Sequence, residues 1–366
     1  MNFDASLDHH NRRPTLPRAF RSLFVLPVLL LLAACGDDGV SSEPSVLTEV
    51  GVVVNSLDLS LTIFPVDDPE ASTSVGLGPD GSPVTVAVRG DRALVPLGTV
   101  PAVAVVDLRE RTRIGTIALP ENSGASGVAF IDDTLAVVAN PNLNSVSIVN
   151  LEAASLEAEI DTGIFPQRVL VREGRIYVLN AELGPDFQPA RTGTITVLDA
   201  SDYSHVATIE VSGDNPGGGD FGPDGLLYVS LAGSFGAGNG AVSVVDPAGL
   251  TEVAHHAGFG DFPGALAMGP DGNLYVAAFS YGVAVFDPAT GGFIRAPEEA
   301  VAPGGVPSSS GIAFDSEDRL YALTPDCQAP ATAHRLDPIT FEPDLEITVG
   351  TCPIGIAFSE ILEPND

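Results

Sequence analysis

A short apolar run closed by Asp or Asn returns seven times along this chain. Clear copies are Ile63-Phe64-Pro65-Val66-Asp67, Val103-Ala104-Val105-Val106-Asp107 and Val146-Ser147-Ile148-Val149-Asn150. The same pattern closes at Asp199 and Asp246, with weaker copies ending at Asp287 and Asp337. Successive closing residues lie 40, 43, 49, 47, 41 and 50 positions apart. A regular internal period constrains a fold more than any single motif, because each copy must be one supersecondary unit.

Two further markers share the period. One is a run of small residues that opens each unit: 83–88, 126–130, 166–171, 216–221, 263–268, 310–314 and 353–358. The other follows after a turn. Gly222-Pro223-Asp224-Gly225 leads into Leu226-Leu227-Tyr228-Val229, and Gly269-Pro270-Asp271-Gly272 leads into Asn273-Leu274-Tyr275-Val276. Arg175-Ile176-Tyr177-Val178 and Arg319-Leu320-Tyr321 match. Asp-Gly between apolar runs is a hairpin signal, since both residues tolerate positive φ. An outer strand such as Thr208-Ile209-Glu210-Val211 completes the unit. Four short strands per unit of this length predict an all-β propeller, with small side chains on the crowded inner strands. Val, Ile and Thr recur in short runs, and no long stretch carries helical periodicity with caps.

Only eight residues follow the last opening run, 353–358, where every other copy is followed by three strands. We therefore expect it to be the inner strand of a blade whose other three strands lie at the N-terminus, so that the ring closes. Six complete blades plus this composite blade make seven. Pairing the chain's ends removes two exposed sheet edges.

The repeat units resemble the YVTN-type and NHL-type propeller repeats over nearly all of 49–360. That resemblance implies a fold and carries little about function, because one superfold hosts many activities. Gluconolactonase-like propellers are similar in architecture and hold a divalent cation with Glu, Asn and Asp from the inner strands. Here the corresponding rows are Val84, Ser126, Gln167, Gly217, Gly264, Ser310, Ile354 and Thr85, Gly127, Arg168, Gly218, Ala265, Gly311, Gly355. Neither contains Asp, Glu, Asn or His, so no metal ligands are assigned. A metal-dependent hydrolase of that kind, with a cation such as calcium, is the alternative to a binding module. A structural component of a surface assembly is the third reading.

Asp220 stands out among equivalents that are Ala or Leu, and Gly217, Gly218 and Gly219 beside it admit close approach. It is a candidate for binding a cation or pairing with Arg168. Together with Gln167, Arg168 and Ser310 it forms the candidate ligand set. The six His residues form no constellation, and no Ser sits in a nucleophile elbow, so no catalytic residue is assigned.

The N-terminus reads as a targeting segment, 1–34. Arg12, Arg13, Arg18 and Arg21 precede an apolar run, 23–32, that is short for a membrane span and ends Leu32-Ala33-Ala34-Cys35. Small residues before Cys resemble a bacterial lipobox. The resemblance implies cleavage before Cys35 and lipid attachment to it; a plain secretion signal is the alternative. Gly36 after the Cys implies, by the same resemblance, transfer to the outer membrane, facing the periplasm or the outside. Residues 35–48 read as a flexible tether, 49–361 as the propeller and 362–366 as a tail.

Net charge is −32, carried against 16 basic residues that are all Arg. Removing 1–34 deletes four Arg and two Asp, leaving the mature chain more acidic still. Such a surface disfavours nucleic acid and anionic lipid, and suits a soluble monomer that would meet a basic or divalent partner. An even pair of cysteines, Cys327 and Cys352, is expected to form a disulfide in an oxidising compartment, joining adjacent blades on one face. On that face the loops 180–193, 232–240 and 259–262 carry Phe187, Phe235, Phe259 and Phe262. A rigid ring with variable loops suits recognition of an envelope protein or polysaccharide.

Overall fold

The computed structural model describes residues 45–337 and 339–364. It is a ring of seven four-stranded antiparallel sheets. We number the blades in chain order by their inner strands: Ala87–Arg89, Val128–Phe130, Pro166–Arg172, Pro216–Phe221, Leu266–Met268 and Gly311–Phe314, then Pro353–Pro364 for the closing blade. Each inner strand packs against the next, and Pro353–Pro364 returns to Ala87–Arg89.

Closure is as expected. The C-terminal strand pairs antiparallel with Ser45–Asn55, which pairs in turn with Ser60–Pro65, and Thr73–Gly76 lies outermost. The ladder runs further than the sequence divisions at 48 and 361. Val46 faces Glu363, Leu47 faces Leu362 and Thr48 faces Ile361. Val46, Leu47 and Leu362 are exposed there, so the extension leaves no burial pattern in the sequence. Arg111 on blade 1 reaches Glu363 at 2.8 Å and pins the end of the ladder. Residues 1–44, including Cys35 and most of the tether, lie outside the described residues.

The inner strands are shorter than their sequence signatures in blades 1, 2 and 5. Residues 83–86 carry no ladder, and a register shift interrupts pairing at Pro166/Arg168 and at Pro216/Gly218. Crowding at the axis explains this: a Cβ on Gly218 would sit 2.4 Å from the Gly264 carbonyl oxygen, and one on Gly127 2.7 Å from that of Gln167. The core lies between blades, where apolar residues of the second and third strands of one blade meet those of the next.

The repeated Asp-Gly signature has a structural use. Tyr228 and Tyr275 donate their hydroxyls to Asp224 and Asp271 of the preceding turn, at 2.8 and 3.0 Å. Burial is the main cause that pushes both phenols above the usual tyrosine range, with the neighbouring carboxylate adding to it. In six of the seven blades the Asp or Asn that closes the third strand accepts backbone N–H groups of the following turn, as Asp246 does from Ala248 and Asp287 from Ala289.

Cys327 and Cys352 form a disulfide across 25 residues. Cys327 follows the second strand of blade 6, and Cys352 precedes the closing inner strand, so the bridge fixes the ring's final joint. Replacing both cysteines by serine is expected to lower the unfolding free energy by about 3 kcal/mol, from the entropy of the opened loop. Urea unfolding of the variant beside the oxidised parent measures this. A difference well under about 1 kcal/mol would mean the joint is held without it.

Candidate binding face and axial channel

Of the four candidate ligand residues, three serve as stitches between blades. Gln167 donates its amide N–H to Asn215 Oδ1 at 2.7 Å, linking blades 3 and 4. Ser310 donates to the Pro353 carbonyl at 2.6 Å, linking blade 6 to the closing blade. They belong to a girdle around the axis. Thr85 donates to the Ser126 carbonyl, Ser126 to that of Gln167, and Ser230 to that of Gly264. Near the axis, strand edges expose backbone carbonyls, and a short hydroxyl from the preceding blade satisfies each of these.

Asp220 is a third stitch. One carboxylate oxygen accepts the Phe221 N–H at 2.8 Å, and the other accepts the Met268 N–H of blade 5 at 2.9 Å. Burial, the largest influence, pushes its carboxyl above the usual range, against the pull of those two N–H groups and of Arg168 and Arg172. Its expected pairing with Arg168 is not a contact. No ion pair within 4 Å joins them, and Arg172 instead lies over the Phe221 ring at 4.9 Å. Arg168 is left with no hydrogen-bond or ion-pair partner among the described residues. It lines a channel cavity of about 50 Å³ together with Thr85, Ala265, Gly311 and Gly355 from other blades.

No group of three or more His, Cys, Asp or Glu side chains is placed to hold a metal ion among the described residues. His205 opens an outer strand, and its ring meets Thr208 at 2.9 Å. His334 is buried on a third strand against Thr324, and burial lowers its pKa.

The loops joining second to third strands and outer to next inner strands emerge on one face, because the strands alternate in direction. On that face Phe187 is 67 % exposed, Phe235 77 %, Phe262 41 % and Phe279 53 %. Phe187 meets Phe165 edge-on at 5.8 Å, and Phe235 meets Phe262 at 6.0 Å. Phe259, by contrast, is fully buried against Phe286 and Phe293 and is core.

One carboxylate-bearing residue holds each aromatic pair. Asp261 accepts the Gly236 N–H at 2.7 Å, and its carbonyl accepts the Ser280 hydroxyl, so the loops carrying Phe235, Phe262 and Phe279 are tied together. Glu182 does the same for the other pair. Fully buried, it accepts the Thr194 hydroxyl at 2.6 Å, Arg191 Nε at 2.8 Å and the Ile164 N–H at 3.3 Å. It therefore couples the loop of Phe187 to the loop of Phe165. Beside it opens a polar cleft of about 390 Å³ lined by Thr194, Thr196, Thr208, Glu210 and Arg191. Sequence reading missed Glu182. Its one signal is an acid and an Arg within one long loop, which without burial is unremarkable.

No family model matches this chain, and no curated protein matches it. Solved structures do. Hydrazine synthase of Kuenenia stuttgartiensis aligns with TM-score 0.58 at 18% identity, covering 72% of this chain and 79% of that one. A functionally unknown protein from Desulfotomaculum acetoxidans aligns with TM-score 0.63 at 17% identity, covering 86% and 99%. The likeness is one of fold. At such identities the shared propeller brings no activity with it, and function must be argued from this chain's own surfaces.

Proposed function

We propose that this protein is an exported binding module, lipid-anchored at the bacterial outer membrane through Cys35, whose repeats are of the YVTN/NHL type. Its loop face recognises another envelope protein. The observation that carries the reading is the set of exposed Phe187, Phe235, Phe262 and Phe279 on one face, held by Glu182 and Asp261. Phe rings fixed before binding lose little conformational entropy on docking, as interface anchors require. The chain's net charge of −32 favours a partner whose apolar patch is ringed by Arg or Lys. The leader's basic segment, apolar run and Ala33-Ala34-Cys35 support the anchor, and the disulfide fits an oxidising compartment.

The test is cross-linking in the native envelope, comparing wild type with a variant in which the four Phe are Ala. Wild type is expected to give a defined complex of fixed ratio that weakens with salt. The variant should lose it by at least about tenfold while keeping its melting temperature, since surface substitutions of this kind alter stability by about 0.5 kcal/mol or less. Undiminished capture by the variant would refute the aromatic face. Capture of polysaccharide in place of protein would redirect the partner class.

A further inference from the structure

We propose that the axial channel is an anion site, in which Arg168 holds one carboxylate or small oxoanion. This stands apart from the loop-face reading, since it rests on a different part of the molecule. Arg168 occupies a row whose other members are Thr85, Gly127, Gly218, Ala265, Gly311 and Gly355. It is the one large side chain where the rest of the ring keeps small ones. The blade that follows it opens with Gly217-Gly218-Gly219, and a Cβ on Gly217 would meet nothing within 4 Å. Small members of that row, Thr85, Ala265, Gly311 and Gly355, line one cavity with Arg168.

A guanidinium carries five N–H donors and is never neutral in water. Half-buried where it lines the channel, it favours an acceptor of opposite charge over the backbone around it. Gln167, Ser310 and Asp220 all find partners in the girdle, and Arg168 finds none among the described residues. Asp220 is the one carboxylate that influences it, and both oxygens of that carboxylate already accept backbone N–H groups. Burial disfavours the charged form of Arg168, and Asp220 offsets only part of this. The cavity it lines, about 50 Å³, is large enough for roughly three or four water-sized positions. That fits formate, chloride, a tetrahedral oxoanion or the carboxylate end of a slender ligand. Planar, bidentate recognition of two oxygens is what a guanidinium does best.

The test is titration of the full mature chain with ¹³C-formate by NMR and with sulfate by thermal shift. The variants, titrated at the same ionic strength, separate binding at the site from the general effect of salt. Wild type is expected to bind one equivalent saturably in the low-millimolar range and to melt at higher temperature as either anion is added. Arg168→Gln should bind at least about tenfold more weakly, and Arg168→Lys should fall between, since Lys keeps charge without the planar fork. Arg109→Gln, at an exposed turn, should bind as wild type does. Glutarate separates two sources of the anionic group. Tighter binding than formate would mean the carboxylate ends a longer ligand entering the channel; weaker binding would mean a free small anion. Absence of saturable binding to wild type overturns the proposal without any variant. Equal binding by Arg168→Gln overturns it too.

Discussion

A chain stopped at Cys352 is expected not to form a folded ring. It would keep six blades complete and lose only Pro353–Pro364, yet that strand makes three kinds of contact at once. It pairs with the whole of Ser45–Asn55, and it packs on the inner strands of blades 6 and 1. It also brings Ile361 into the core, with Ile356 and Phe358 packed on it. Ile361, fully buried, contributes roughly 1.5–3 kcal/mol, and the half-buried Ile356 and Phe358 each add part of that. Together they are a large share of the net stability of a domain, about 5–15 kcal/mol, before the ladder is considered. Removal would also bare the edge of Ser45–Asn55, rich in Val, as a template for pairing between molecules. Size-exclusion chromatography and circular dichroism should show aggregated or partly folded chains without a cooperative melt. A chain stopped at Ile361 loses only the exposed end of the ladder and the Arg111–Glu363 pair, and should melt within a few degrees of the parent. A cooperative melt of the shorter chain near the parent's temperature would mean that blades stand without closure.

That strand was legible in the sequence because closure follows from counting. Seven opening runs against six complete units leave one run without partners, and only the N-terminal strands can supply them. The blade pattern was legible for a similar reason. Asp224 with Tyr228 and Asp271 with Tyr275 combine turn chemistry and burial in residues spaced alike in both copies. The candidate ligand set was less legible, because an axial position does not say which way a side chain turns. Gln167 and Ser310 turn along the ring to the next blade, and Asp220 turns to Met268. Arg168 is too long to do so and lines the channel. The loops show the opposite lesson. Exposed Phe235 and buried Phe259 are alike in sequence, both near Gly in adjoining loops. Only the packing of Phe286 and Phe293 around Phe259 separates core from surface. Glu182 became meaningful only when Thr194, Arg191 and Ile164, from separate segments, were seen to converge on it.

Phe64→Ala is expected to destabilise the ring by about 3–5 kcal/mol, the range for deleting a buried aromatic ring. Phe64 lies in the third strand of the closing blade and is fully buried. Directly opposite it, on the next strand, is Gly51, which is paired on its other side with Phe358. A Cβ on Gly51 would fall within 2.2 Å of the Phe64 ring, so the glycine is the floor on which the ring rests. Phe64 and Phe358 meet edge-on at 6.2 Å, and Tyr321 of blade 6 closes the cluster at 6.1 Å from Phe64 and 4.8 Å from Phe358. Truncation to Ala leaves a hollow that the glycine floor cannot fill and that Tyr321 and Phe358, tied into separate strands, cannot close. The loss should appear in urea as a lower midpoint with an unchanged slope. Phe64→Leu, which keeps most of the volume, should lose markedly less. The cluster spans the joint that the Cys327–Cys352 bridge also spans, so the two are expected to be coupled. With the bridge already removed, Phe64→Ala should cost a different amount than in the parent, by about 0.5–3 kcal/mol, as contacts sharing one joint do. Strict additivity would show that the aromatic cluster holds its blade together from within and contributes nothing to closing the ring.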